Sequence, residues 1–264
     1  MTPHTKSGLW CASLNRNRHA ALNLLCFPYA GGSASFFGSW HSALPPEVDV
    51  YGIQLPGRAN RFLDPPFTRL PELIGELAPA LLPLLDKPCV FFGHSMGAIL
   101  SFEVTRWLRR NRGVLPRHLF VSGRRAPQIS DTDPPLHLLN DEDFLARIRE
   151  LDGTPAEVLA DEELLRVVLP VLRADTELCE TYEYVDDSPL PCPITAFAGK
   201  DDDDETSDKV REWNQQTTSR FSFHSMEGGH FFISSSEQEV LRLLKRELSY
   251  VYRQLLTGII RVAN

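Results

Sequence analysis

CVFFGHSMGAILSFEV, residues 89–104, opens as an unbroken apolar run and continues as an apolar pattern of helical period. Between the two lies Gly93-His94-Ser95-Met96-Gly97, a G-x-S-x-G pentapeptide. Alone the pattern is common. Directly after a strand and directly before a helix it predicts a sharp turn that forces a serine into the open. Side chains at Gly93 and Gly97 would collide across such a turn. The helix N-terminus behind Ser95 would aim backbone N–H groups at a developing anion.

Outward from this turn, short apolar runs alternate with helical stretches. Strands are expected at Leu22–Phe27, Val48–Ile53, Cys89–Gly93, His118–Ser122, Ile194–Gly199 and Phe221–Met226. Helices are expected at Ser33–Ala43, Leu70–Leu85, Met96–Asn111, Ser207–Thr217 and Glu237–Leu256. This alternation predicts an α/β fold, a mostly parallel central sheet with helices on both faces. The near-continuous hydrophobicity of LNLLCF and CVFF suits strands covered on both sides. Residues 125–191 break the alternation with helical material only. Asn140 can cap a helix that Gly153 would end, and a second helix runs over roughly Asp161–Tyr184. So long an insertion between two strands predicts a helical lid on a single domain spanning 1–264.

The 264 residues carry 27 Lys+Arg against 35 Asp+Glu, a formal charge of −8. That balance, with no basic run, argues against nucleic-acid or anionic-membrane partners. No segment reads as a membrane span or a secretory signal, so a soluble cytoplasmic protein is expected. Five irregularly spaced cysteines offer neither a CxxC nor zinc spacing. Cys26 and Cys89 lie within apolar runs and are expected to pack as small hydrophobes. No phosphate-binding glycine loop or metal cluster is present, and no cofactor is expected.

A serine hydroxyl needs a base to become a nucleophile. The best placed is His230, in the loop GGHFF after the strand FSFHSM. The base needs an acid, and the loop KDDDDE after Ile194–Gly199 offers Asp201, Asp202, Asp203 and Asp204. Spacing does not choose among them. The oxyanion of a tetrahedral intermediate needs two N–H donors. Met96, after the nucleophile, supplies one, and the loop Pro28-Tyr29-Ala30-Gly31-Gly32 is placed for the other.

In order along the chain stand CFPYAGGSASFF, YGIQLPGR, FFGHSMGAILSFEV, LPVLRADTELCETYEY, PITAFAGKDD and GGHFF. This ordered set, from about Leu22 to about Leu244, resembles the type II, external editing thioesterases of polyketide and nonribosomal peptide synthesis. The vertebrate medium-chain acyl thioesterase is similar. The resemblance implies the α/β-hydrolase fold and hydrolysis of acyl thioesters on the phosphopantetheine arm of acyl or peptidyl carrier proteins. It implies a Ser95, Asp202, His230 triad, with Asp202 chosen as the third residue after the glycine of F-x-G and Asp201 as runner-up. It also implies Ala30 and Met96 as oxyanion donors and residues 125–191 as the lid; separately, a monomer is expected. A carrier-independent serine esterase and an acyltransferase of the same fold are the alternatives. Arg58, Arg61, Arg124 and Arg125 fall in loops near the expected site and are candidates for a carrier-docking patch. The first twenty residues and the tail TGIIRVAN match nothing in the family.

Overall fold

Strands β1 (Cys11–Ser13), β2 (Leu22–Phe27), β3 (Val48–Ile53), β4 (Cys89–His94), β5 (Leu119–Ser122), β6 (Ile194–Gly199) and β7 (Phe221–Met226) form one sheet in the computed structural model. The structure describes residues 7–15, 17, 19–131, 134–150 and 161–258. The strand order is β1-β3-β2-β4-β5-β6-β7, parallel throughout except for β1. Six strands match the sequence expectation to within a residue. The seventh, β1, is new: Cys11 pairs with Ile53 and Ser13 with Tyr51, antiparallel at the sheet edge. Three half-covered residues are too short to show a period of two.

Alternate residues of the inner strands feed two cores. Leu22, Leu24 and Cys26 of β2, with Val90 and Phe92 of β4, pack on one face against Phe37, Trp40 and the helix Glu237–Leu256. Leu25, Phe27 and Phe91 face the other way, against α1 (Leu70–Leu81) and α2 (Met96–Arg112). Cys26 and Cys89 are buried free thiols, as expected. Three expected helices are shorter than their periodicity. Ser33–Ala43 divides into a 3-10 turn, Ala34–Phe37, and a short helix, Trp40–Ala43. Gly38, a poor helix former, stands between the two pieces as the C-cap of the first. Helix α1 stops at Leu81 and gives way to a 3-10 turn, because Pro83 has no N–H for the next helical bond. Ser207–Thr217 likewise divides at Arg211.

The insertion leaves the sheet after β5 and returns at β6, and these two strands are adjacent. It holds α3 (Asp141–Glu150) and α4 (Glu162–Glu180). The Asn140 side chain accepts the Asp143 N–H at 3.0 Å, the cap its sequence suggests, while the Gly153 stop lies outside the described residues. Asp161 caps α4 by accepting from the N–H groups of Glu163 and Leu164. Phe144 and Ile148 of α3 pack on Leu172 of α4, with Val168 and Leu169 alongside. Parallel register brings the ends of β2, β4, β5 and β6 level: Phe27 pairs with Gly93, His94 with Ser122, and Ser122 with Phe197. Loops leaving those ends therefore meet, as in other open parallel sheets.

Candidate active site

Ser95 stands at the junction of β4 and α2 with φ 53° and ψ −118°, a conformation that costs energy for any residue with a side chain. The turn closes because its glycines are bare. A Cβ on Gly93 would lie 2.0 Å from the Gly97 carbonyl oxygen, and one on Gly97 would lie 2.1 Å from that of Phe27. The Ser95 N–H donates to the Ser122 carbonyl at 2.8 Å, tying the turn to β5.

His230 comes from the loop after β7, and its Nε2 lies 3.0 Å from Ser95 Oγ. Its Nδ1 lies 2.8 Å from Asp202 Oδ2. With Asp202 ionised, Nδ1–H donates to the carboxylate and Nε2 is left to accept the serine proton. Burial alone would raise the Asp202 carboxyl. The His230 hydrogen bond and charge, with the N–H groups of Glu205 and Asp204, outweigh it and hold the carboxyl below its ordinary range. Of the four aspartates, Asp202 is 6% exposed and faces the imidazole, whereas Asp201 and Asp203 are exposed and Asp204 is half-buried. His94 turns away from the serine. Its ring is fully buried, Nδ1 lies 2.9 Å from Ser122 Oγ, and burial holds it neutral.

Met96 begins α2, so its N–H has no partner within the helix. The loop after β2 is a tight turn in which the Gly32 N–H donates to the Tyr29 carbonyl at 2.9 Å. Ala30 sits at its second position and lines a chamber of about 160 Å³ together with Ser95 and His230. The insertion supplies the opposite wall through Leu136, Ile148 and Leu172.

Beside the acid, Glu205 escaped the sequence reading. It closes KDDDDE and looks like part of a solvated acidic turn, yet it is 3% exposed. Its N–H donates to Asp202 Oδ1 at 3.0 Å, and its carboxylate accepts from the N–H and Nε of Arg125. The pair Arg125–Glu205 therefore anchors the acid loop to the start of the insertion. Nothing local in the sequence marks it.

The expected docking arginines are overturned by the same geometry. Arg58 is buried against Asp175, Arg61 lies over the Trp10 ring at 4.1 Å and bonds Asp64, and Arg124 and Arg125 pair with Glu205. Loop position suggested exposure, but Arg58 and Arg125 are buried against the internal carboxylates of Asp175 and Glu205, Arg124 lies half-buried against Glu205, and Arg61 is buried while bonding the half-exposed Asp64.

Residues 22–248 match the thioesterase domain family. Gramicidin S biosynthesis protein GrsT of Aneurinibacillus migulanus is 44% identical over 95% of this chain and 98% of its own length. Thioesterase PikA5 of Streptomyces venezuelae is 40% identical over 89% of this chain and 83% of its own. The solved structure of the type II thioesterase BorB from the borrelidin biosynthetic cluster matches with a TM-score of 0.84 at 38% identity, covering 91% of this chain and 98% of that one. A serine-bearing turn on a mostly parallel sheet, beside a chamber that the insertion helps to line, thus sits in a chain that belongs to the thioesterase domain family and is a thioester hydrolase of its type II branch.

Proposed function

We propose that Ser95, His230 and Asp202 release acyl groups from the phosphopantetheine arm of acyl or peptidyl carrier proteins, in editing or release, through an acyl-enzyme. Ser95 Oγ attacks the thioester carbonyl carbon as its proton passes to His230 Nε2. Asp202 holds the Nδ1–H and stabilises the imidazolium. The Ala30 and Met96 N–H groups take the oxyanion. The intermediate collapses by breaking the C–S bond, and the imidazolium protonates the departing pantetheine thiolate. Water then gives a proton to Nε2 and attacks the acyl ester, and the returning proton restores Ser95 as the free acid leaves. The protein needs no cofactor of its own, since the phosphopantetheine belongs to the carrier. Residues 125–191 act as the lid over the acyl chamber.

One observation carries this reading: an unbroken Asp202–His230–Ser95 relay, at 2.8 and 3.0 Å, opens on a chamber walled by the insertion. The relationship to type II thioesterases supports the carrier-bound substrate class. The test is hydrolysis of a panel of acyl–carrier proteins, with free acyl-pantetheines alongside. Ser95→Ala should fold normally and lose on the order of 10⁶ in rate, as nucleophile loss does in such relays. A serine-directed phosphonate should label Ser95 alone. Labelling elsewhere, or turnover retained by the alanine variant, would refute the mechanism. Acyl transfer to added alcohols or amines in preference to water would make the chain an acyltransferase instead.

A further inference from the structure

LPGR (residues 55–58) and LRAD (residues 172–175) have no part in the chemistry above, yet their last residues meet in the interior beside the oxyanion turn. Arg58 Nη1 and Nη2 donate to Asp175 Oδ2 and Oδ1 at 2.6 and 2.8 Å. The pair is buried, with Arg58 7% and Asp175 2% exposed. Its remaining bonds converge on one place. Asp175 Oδ2 also accepts the Gly31 N–H at 2.7 Å, and Arg58 Nη1 donates to the Gly32 carbonyl at 3.3 Å. Arg58 Nε is held by the Pro56 carbonyl.

Gly31 is gripped from a second side by the same helix. Its φ is +75°, as a type II turn requires at the third position, and a Cβ there would lie 2.5 Å from Leu172 Cδ2. Leu172 thus covers the Gly31 Cα while Asp175, three residues on, takes its N–H. Turns of this kind can flip their central peptide, here Ala30–Gly31. A carboxylate at Asp175 admits only the state with the Gly31 N–H toward α4, because the flipped state sets the Ala30 carbonyl against a buried negative charge. For stability alone, a buried ion pair does no better than well-packed apolar residues. Here it fixes the peptide that follows the proposed oxyanion donor.

We propose that Arg58 and Asp175 are positioning residues for the oxyanion hole. Asp175 takes the Gly31 N–H into the lid helix, leaves the Ala30 N–H for the substrate carbonyl, and so couples α4 to catalysis, while Arg58 orients the carboxylate. The inference rests on the roles of Ser95 and Ala30 proposed above.

The experiment compares wild type, Asp175→Ala, Asp175→Asn and Arg58→Lys on a short acyl-pantetheine, with active sites titrated by the phosphonate so that rates count folded enzyme only. Affinity for a trifluoromethyl ketone thioether, whose hydrated or serine-bound form places an oxyanion in the same pocket, is measured in parallel. Asp175→Ala should lose on the order of 10² in kcat, the scale of an ångström of misplacement, with KM within about threefold. Ketone affinity should fall in proportion to kcat/KM. Asp175→Asn retains an oxygen for the Gly31 N–H and should recover part of both losses. Lysine cannot form the bidentate contact, so Arg58→Lys should fall between wild type and Asp175→Ala. If Asp175→Ala does not fold, the asparagine and lysine variants decide by the same two readouts. An unchanged kcat per titrated site, with only the melting temperature lowered, would make the pair structural and overturn the proposal. So would a rise in KM with kcat and ketone affinity intact. Failure of the parent reading would look different: Ser95→Ala would keep its turnover.

Discussion

At the scale of single residues, the site separates what one carboxylate does from what its neighbours do. Asp202 meets His230 from a buried position and is further held by the Glu205 N–H. Asp201, one residue away, is exposed and is bound into the loop through its backbone N–H to the Gly228 carbonyl. Asp202→Asn should therefore lower turnover by about 10⁴, the cost of losing the tautomer-fixing acid. Asp201→Asn and Asp203→Asn should stay within about threefold of wild type, because exposed charges contribute little. Steady-state rates on one acyl-pantetheine suffice, and a crippled Asp201→Asn with an active Asp202→Asn would reverse the assignment. Ser95 and His230 were legible because each lies in a local pattern, a strand–turn–helix or a glycine-flanked loop. Spacing alone offered the acid as a loop of four, since it does not say which side chain turns inward, and the family resemblance selected Asp202 with Asp201 as runner-up. Glu205 and Asp175 were illegible for a different reason: their partners Arg125 and Arg58 lie 80 and 117 residues away.

At the scale of elements, strands inside the sheet declared themselves because both faces are covered and their sequences are mostly apolar. The expected helices were correct where one amphipathic period runs uninterrupted, as in Glu237–Leu256, and too long where Pro83 or Gly38 intervenes. Helix α4 shows the limit of periodicity. Leu169 and Leu172 both belong to its apolar stripe, but Leu172 reaches the chamber, whereas Leu169 packs in the cluster around Phe144. Leu172→Phe should shorten the preferred acyl chain, since the added ring occupies part of the chamber that Leu172 lines. Leu169→Ala should leave chain-length preference unchanged and lower stability by about 1–3 kcal/mol, less than a full core truncation because the site is half-buried. Competition between acetyl and octanoyl pantetheines checks the first, and denaturant unfolding the second. Equal losses of Leu172→Phe on both chains would mean that the ring acts by displacing the Gly31 turn beneath it and not by shaping acyl selection.

At the scale of the whole molecule, sequence composition gives the net charge of −8 but not the way the fold answers acid. Two histidines lie inside it. His118 is 1% exposed, stacks on Phe120 at 4.3 Å, and has Nε2 2.8 Å from Thr195 Oγ1. Burial, aided by the Arg220 charge, pushes it down to about 3, and burial likewise holds His94 well below its ordinary value. In the unfolded chain both would bind protons below about pH 6.5. Where the unfolded state binds more protons, stability falls as pH falls. His118 thus favours folding above about pH 6.5 and loses that contribution progressively toward pH 3, at about 1.4 kcal/mol per pH unit once the unfolded histidine is protonated. Asp202 acts later. Its folded carboxyl lies below the ordinary range, so its contribution is present above about pH 4 and disappears only as pH falls through the folded value. Between pH 6 and 4 the histidines therefore dominate. His118→Gln, which carries no titrating ring but can still bond Thr195, should be less stable than wild type at pH 7. It should then lose stability more slowly, with a slope shallower by about 1.4 kcal/mol per pH unit between pH 5.5 and 4. Urea unfolding at half-unit steps measures both slopes. Parallel slopes would mean that the His118 ring is protonated in the folded protein, through an opening of the β5–β6 region that this packed geometry forbids.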